Sequence, residues 1–151
     1  MTSTQQFWNY LKPILEDTEP QTVMLSDADR MDRLIESSRS EQMYPAIFVM
    51  RPAYQGQKID NAALVAMFNV QLFVLCQGAL DDYASQDAAF QQSEEIAELI
   101  VQALQHDSLT YKCWFDFSSL KMEPIIYTTV DATYGYEVKL KCGIIANEQF
   151  C

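Results

Sequence analysis

Four glycines and five prolines in 151 residues leave no basis for a collagen-like, linker or low-complexity chain. One histidine and four cysteines, Cys76, Cys113, Cys142 and Cys151, provide no zinc-ligand spacing, because no cysteine lies two to four residues from another. They read as unpaired thiols that pack as small apolar side chains. Cations are also few. Ten Lys and Arg face 21 Asp and Glu, a formal net charge of −11, which repels phosphate backbones and argues against nucleic-acid binding as the main role. The first residues contain neither a basic segment nor an apolar core behind one, so neither a signal nor a transit peptide is read and a cytoplasmic location is expected. The longest weakly charged apolar stretch, residues 62–80, contains Asn69, Gln71 and Gln77. These are costly in lipid, so the stretch reads as a buried strand and not a membrane span.

Against these absences stand 49% hydrophobic and 12% aromatic residues, enough for one core in a single domain spanning 1–151. Residues 2–4 offer a Ser or Thr N-cap with Gln at the third helical position, followed by Phe7, Tyr10, Leu11, Ile14 and Leu15 at helical spacing. A helix over about 4–17 is predicted, stopped by Glu19-Pro20. Residues 23–25 form a short extended piece. Ser26 or Asp27 then caps a shorter helix carrying Ala28, Met31, Leu34 and Ile35, and residues 37–42 read as a polar loop.

From Tyr44 the period changes. Residues 45–51 (PAIFVMR) and 64–77 (LVAMFNVQLFVLCQ) read as two antiparallel strands of a hairpin around a polar loop. A turn at 78–83 leads into a long helix over about 86–106, defined by Phe90, Ile96, Ala97, Leu99, Ile100, Ala103 and Leu104. Three further β segments are predicted at 111–117, 123–130 and 134–145, with a turn at 131–133 between the last two. The class is α+β: a largely antiparallel sheet of about four to five strands, with an N-terminal helix and a long central helix packed on it.

No catalytic, cofactor-binding or metal residue emerges, and the chain does not read as an enzyme. Asp27, Asp29 and Asp32 mimic a calcium loop, but Met31, Asp32 and Ser38 stand where a ligand, a Gly and a bidentate Glu are required. They read as acids at a helix N-terminus. His106 reads as a charge at a helix C-terminus, and Glu94, Glu95 and Glu98 as a solvated face. Ser118-Ser119 lacks a GxSxG context, the glycines form no phosphate-binding cluster, and CxxC and HExxH are absent. The aromatics Trp114, Phe115, Phe117, Tyr127, Tyr134 and Tyr136 fit a core or a protein interface better than a ligand platform.

One feature points outward. On one face of the strand at 64–77, Met67, Phe73 and Leu75 join Ile125 and Tyr127 of a later strand. With few helices available, both faces of such a sheet are hard to cover within one subunit, so self-association through these five residues is expected. The competing reading has the short helix near residues 27–38 cover this face. The loop at 53–62, with Tyr54, Lys58 and Asp60, is the second candidate contact.

In its order of elements the chain resembles the tail terminator, or tail completion, proteins of long-tailed phages, prophages and contractile injection particles. The resemblance rests on YPAIFVMRP at 44–52, AMFNVQLFVLC at 66–76, SEEIAELIVQALQ at 93–105 and YGYEVKLKC at 134–142. It implies a ring-forming homo-oligomer, commonly a hexamer. Such a ring caps the tail tube, ends its polymerisation and meets a head-side connector protein, with no cofactor, and becomes part of the particle. Other readings are a small interaction adaptor and, further off, an enzyme without a known motif.

Overall fold

In a computed structural model, residues 1–37, 43–59, 63–127 and 132–151 are described. Helix α1 (Ser3–Glu16) starts at a full capping box. The Thr2 side chain accepts from the Gln5 backbone N–H and the Gln5 side chain accepts from that of Thr2. Phe7, Leu11 and Leu15, spaced by four, form its buried stripe. The extended piece is a true strand, β1 (Thr22–Ser26), and Asp27 Oδ1 accepts from the Arg30 N–H at 2.9 Å to cap α2 (Ala28–Ser37).

Strands β2 (Ala46–Met50) and β3 (Ala53–Ile59) run in succession along one side of the long β4 (Ala63–Gln77). Between them the register slips by one residue, from Val49 opposite Leu72 to Ala53 opposite Asn69. Pro52 sits in this interval, where it has no N–H to offer the ladder. Helix α3 (Tyr83–Leu109) is three residues longer at each end than its apolar pattern predicts, and Asp82 caps it by accepting from the Ala84 and Ser85 N–H groups. Then come β5 (Trp114–Tyr127), β6 (Thr133–Ile145) and the short α4 (Asn147–Phe150).

The α+β class is confirmed, with six strands in the order β1-β2-β4-β6-β5 and β3 beside β4 on the β2 side. The β1–β2 pair is parallel and every other pairing antiparallel. Three details differ from the sequence reading. Residues 53–59, expected to be irregular, form β3, because backbone pairing to β4 stabilises a polar strand that carries no hydrophobic alternation. The segments expected at 111–117 and 123–130 belong to one edge strand among the described residues, β5 (Trp114–Tyr127), interrupted by a bulge between Asp116 and Lys121; residues 128–130 lie outside the described residues. The count exceeds four to five because β1 and β3 both join the sheet. Most of the expected loop at 37–42 and Asp131 of the expected turn lie outside the described residues.

Helices α1 and α3 pack on one face, over Phe68, Val70, Leu72, Val74 and Cys76 of β4 and Val138, Leu140, Cys142 and Ile144 of β6. The opposite face is divided. Near the C-terminal end of β4, α2 packs Met31 and Ile35 over Ala46, Phe48 and Leu75. Toward the N-terminal end of β4 the sheet is four strands wide, β3-β4-β6-β5, and among the described residues no helix packs on this half of the face. Among the described residues no helix is long and apolar enough to cross a membrane.

Candidate functional site

The five residues expected to form an open association face divide between two environments. Leu75 is 0% exposed, and Phe73, Ile125 and Tyr127 are half-buried in the cluster that α2 closes. The Tyr127 hydroxyl donates to the Asp32 carboxylate, tying α2 to β5. This end of the face is therefore covered from within the chain. Leu75 is core and presents nothing to a partner, because the β1–α2–β2 connection lays the apolar side of α2 across it. Met67 lies on the open half, where it packs over Gly143: a Cβ on that glycine would meet the Met67 Cε at 3.0 Å. Its row across the sheet reads Gln55, Met67, Gly143, Trp114.

Toward the middle of this face the β5–β6 edge carries paired charges. Lys121 pairs with Glu123 at 2.7 Å and Lys139 with Glu137 at 3.1 Å. Their mutual hydrogen bond holds the Lys121 ammonium above and the Glu123 carboxyl below their ordinary ranges. Charges paired this way solvate a face more than they recruit a partner.

The second candidate segment is better exposed. Tyr54 on β3 is 41% exposed, and its ring lies 4.8 Å from that of Phe68, which stacks at 4.3 Å on Phe7 of α1. Lys58 is exposed on the same strand, and Asp60 lies outside the described residues. Tyr54 and Lys58 line an apolar groove of about 560 Å³ between β3, the start of β4 and α4, with Leu64, Ala66 and Phe150. Helix α4 is anchored there: Asn147 Oδ1 accepts from the Leu64 N–H at 2.7 Å, and the Ala146 N–H donates to the Leu64 carbonyl at 2.8 Å.

A second apolar groove, of about 530 Å³, lies at the opposite edge of the sheet between α3 and β5, lined by Glu98, Val101, His106, Leu109, Phe117 and Met122 among others. Its large apolar side chains are uncovered, with Leu109 70% and Phe117 61% exposed. No protein-family model matches the chain, and no curated protein matches it in sequence.

The two grooves were only partly legible in advance. Phe117 stood out as one aromatic among six, but its exposure follows from the bulge in β5. Leu109 continues the stripe of Glu98, Gln102 and Gln105 past the predicted helix end, a signal available in the spacing. Gly56 and Phe150 had no local signal, because β3 and α4 depend on long-range backbone bonds.

The buried polar groups serve structure. The Tyr10 hydroxyl donates to Asp107 at 2.7 Å, joining α1 to α3, and burial raises its pKa. The Cys113 thiol donates to the Leu104 carbonyl at 3.5 Å. Cys142 is pushed up by its hydrogen bond to Cys113 and by burial. Among the described residues no group of three or more His, Cys, Asp or Glu is placed to hold a metal ion. Asp27 and Asp29 instead pair with Arg30 and Arg33.

Proposed function

We propose that this chain is a structural assembly subunit of the tail-terminator kind. Its copies associate head to tail into a closed ring that caps a tail tube, ends the growth of that tube and offers a docking surface to a head-side connector protein. The observation that carries the reading is the four-stranded end of the sheet. There the outer edges of β3 and β5 have no strand partner among the described residues, and each is flanked by an apolar groove. A heterologous ring requires two different surfaces on opposite sides of one subunit. These two lie three strand spacings apart, roughly 14 Å across the sheet. The net charge of −11 suits such a ring, because an acidic lumen repels the phosphates of passing DNA.

Light scattering after size exclusion, over a range of protein and salt concentrations, tests the reading. The expected species is a closed ring, about 104 kDa for a hexamer of 17.3 kDa subunits. Added salt favours it by screening repulsion between acidic subunits. Electron microscopy with tail-tube protein should show the ring at tube ends and tubes of limited length. A chain that stays at 17.3 kDa at every concentration, with and without tubes, overturns the reading and leaves the small interaction adaptor.

A further inference from the structure

We infer that the β5 side of one copy docks into the β3 side of the next, with Phe117 as the knob and the notch at Gly56 as its socket. This rests on the ring reading and adds to it the two contact surfaces and their polarity.

The knob is braced. Phe117 stands on the bulge of β5, and its ring meets that of the buried Phe115 edge-on at 6.4 Å. A large apolar side chain held out from an edge strand is an aggregation hazard unless a partner covers it. Leu109 and Met122 beside it extend the same apolar surface.

The socket is open at its floor. A Cβ placed on Gly56 would meet nothing within 4 Å, so a ring can approach the β3 backbone closely. Tyr54 and Phe150 stand as walls, and Leu64 and Ala66 complete an apolar lining. Tyr54 is supported by the Phe68 and Phe7 rings, so the wall continues into the core.

The charges are complementary. Among the described residues, the carboxylate lining the β5 groove is Glu98, with the His106 imidazole also in the lining, and the charged side chain lining the β3 groove is Lys58. A cation here is notable in a chain with 21 acids and ten bases. The outer edges of β3 and β5 have no strand partner among the described residues, so their backbone groups are free to pair across the contact. Because the two surfaces differ, they do not close a two-fold dimer. They propagate head to tail until a ring closes. On the open face Lys121 and Lys139 are already paired with Glu123 and Glu137 of the same chain.

The test uses the full chain and variants at exposed positions, with folding checked by circular dichroism. Phe117→Asp and Gly56→Phe should each remain monomeric at protein concentrations tenfold above those at which the wild type is fully assembled. An equimolar mixture of the two should form a concentration-dependent dimer of about 35 kDa, twice 17.3 kDa, because each variant keeps one intact surface. Lys58→Glu and Glu98→Lys should each weaken assembly at least tenfold, and combining both in one chain should restore it. This pair decides the matter if either bulky variant fails to fold. Wild-type rings alongside a folded Phe117→Asp that still forms rings overturn this contact and leave the ring reading standing. A mixture that gives no dimer also overturns it, and a wild type that never assembles overturns both.

Discussion

The two halves of β4 carry the same alternation of side chains and live in different surroundings. From Phe73 to Gln77 the strand is packed on both faces, by α1 and α3 on one and by α2 on the other. From Ala63 to Gln71 no helix among the described residues packs on the second face, whose β4 residues include buried Val65, half-buried Met67, exposed Asn69 and half-buried Gln71. The periodicity of β4 determines which side chains share a face, whereas the path of α2 determines whether that face is dry. Apolar residues on a second sheet face are therefore evidence for a cover, and the cover can come from the same chain.

The largest effect expected from this contrast is in packing. Leu75→Ala, beneath α2, should cost about 2–5 kcal/mol of stability, because it leaves a cavity in a closed cluster. Asn69→Ala, on the open half of the same strand face, should stay within about 0.5 kcal/mol. Urea denaturation of the two variants measures the difference, and equal losses would mean that α2 does not close its end in solution.

The two glycines of β6 sharpen the comparison. A Cβ on Gly135, opposite Leu75, would lie 1.8 Å from the Val74 carbonyl oxygen, so the backbone itself must move. A Cβ on Gly143, opposite Met67, would meet Val65 Cγ1 at 2.7 Å and Met67 Cε at 3.0 Å. Gly135→Ala should cost about 3 kcal/mol by overpacking against backbone and Gly143→Ala about 2 kcal/mol, since there only side chains must give, the end of Met67 readily and the buried Val65 methyl less so. Thermal unfolding of both should give the lower midpoint to Gly135→Ala.

A smaller effect concerns pH. Burial pushes the Cys76 thiol, in the closed half of β4, from 9.0 up to about 12. In the window between those values the unfolded chain loses this proton and the folded chain keeps it. The stabilisation is complete below pH 9.0 and is lost as pH rises toward about 12. Cys76→Ala should flatten that part of the stability profile, and chemical denaturation across the window tests it. A variant with an unchanged slope would place Cys76 in contact with solvent.

The smallest effect belongs to the open half. Lys139→Ala removes the pairing with Glu137, and since the lysine is half exposed the loss should not exceed about 1 kcal/mol and should shrink with added salt.

Where an element contains its own instruction, the sequence revealed it. The capping box at Thr2 and Gln5, the stripe of Phe7, Leu11 and Leu15, and the alternation of β4 and β6 are local patterns of short period. Strand β3 and helix α4 have no such pattern. Ala53–Ile59 is polar and mostly exposed, and it is a strand because β4 pairs with it. The candidate site was legible to the same extent. Tyr54 and Lys58 were visible as an unusual segment, whereas the groove they share with Phe150 comes from residues about 90 positions apart. Leu75 was misplaced on an open surface because hydrophobicity reports that a side chain will be covered and is silent on what will cover it.

By itself, then, the sequence determined the class, the long helix, the central strands and the excess of acids over bases, because composition and periodicity can be read without knowing which distant segments meet. Only the tertiary structure decided that α2 closes one end of the second face, that the outer edges of β3 and β5 have no strand partner among the described residues, and that two apolar grooves flank them. Those outcomes depend on which distant segments compete for the same backbone groups and the same apolar surface, and that competition is resolved only when the chain packs.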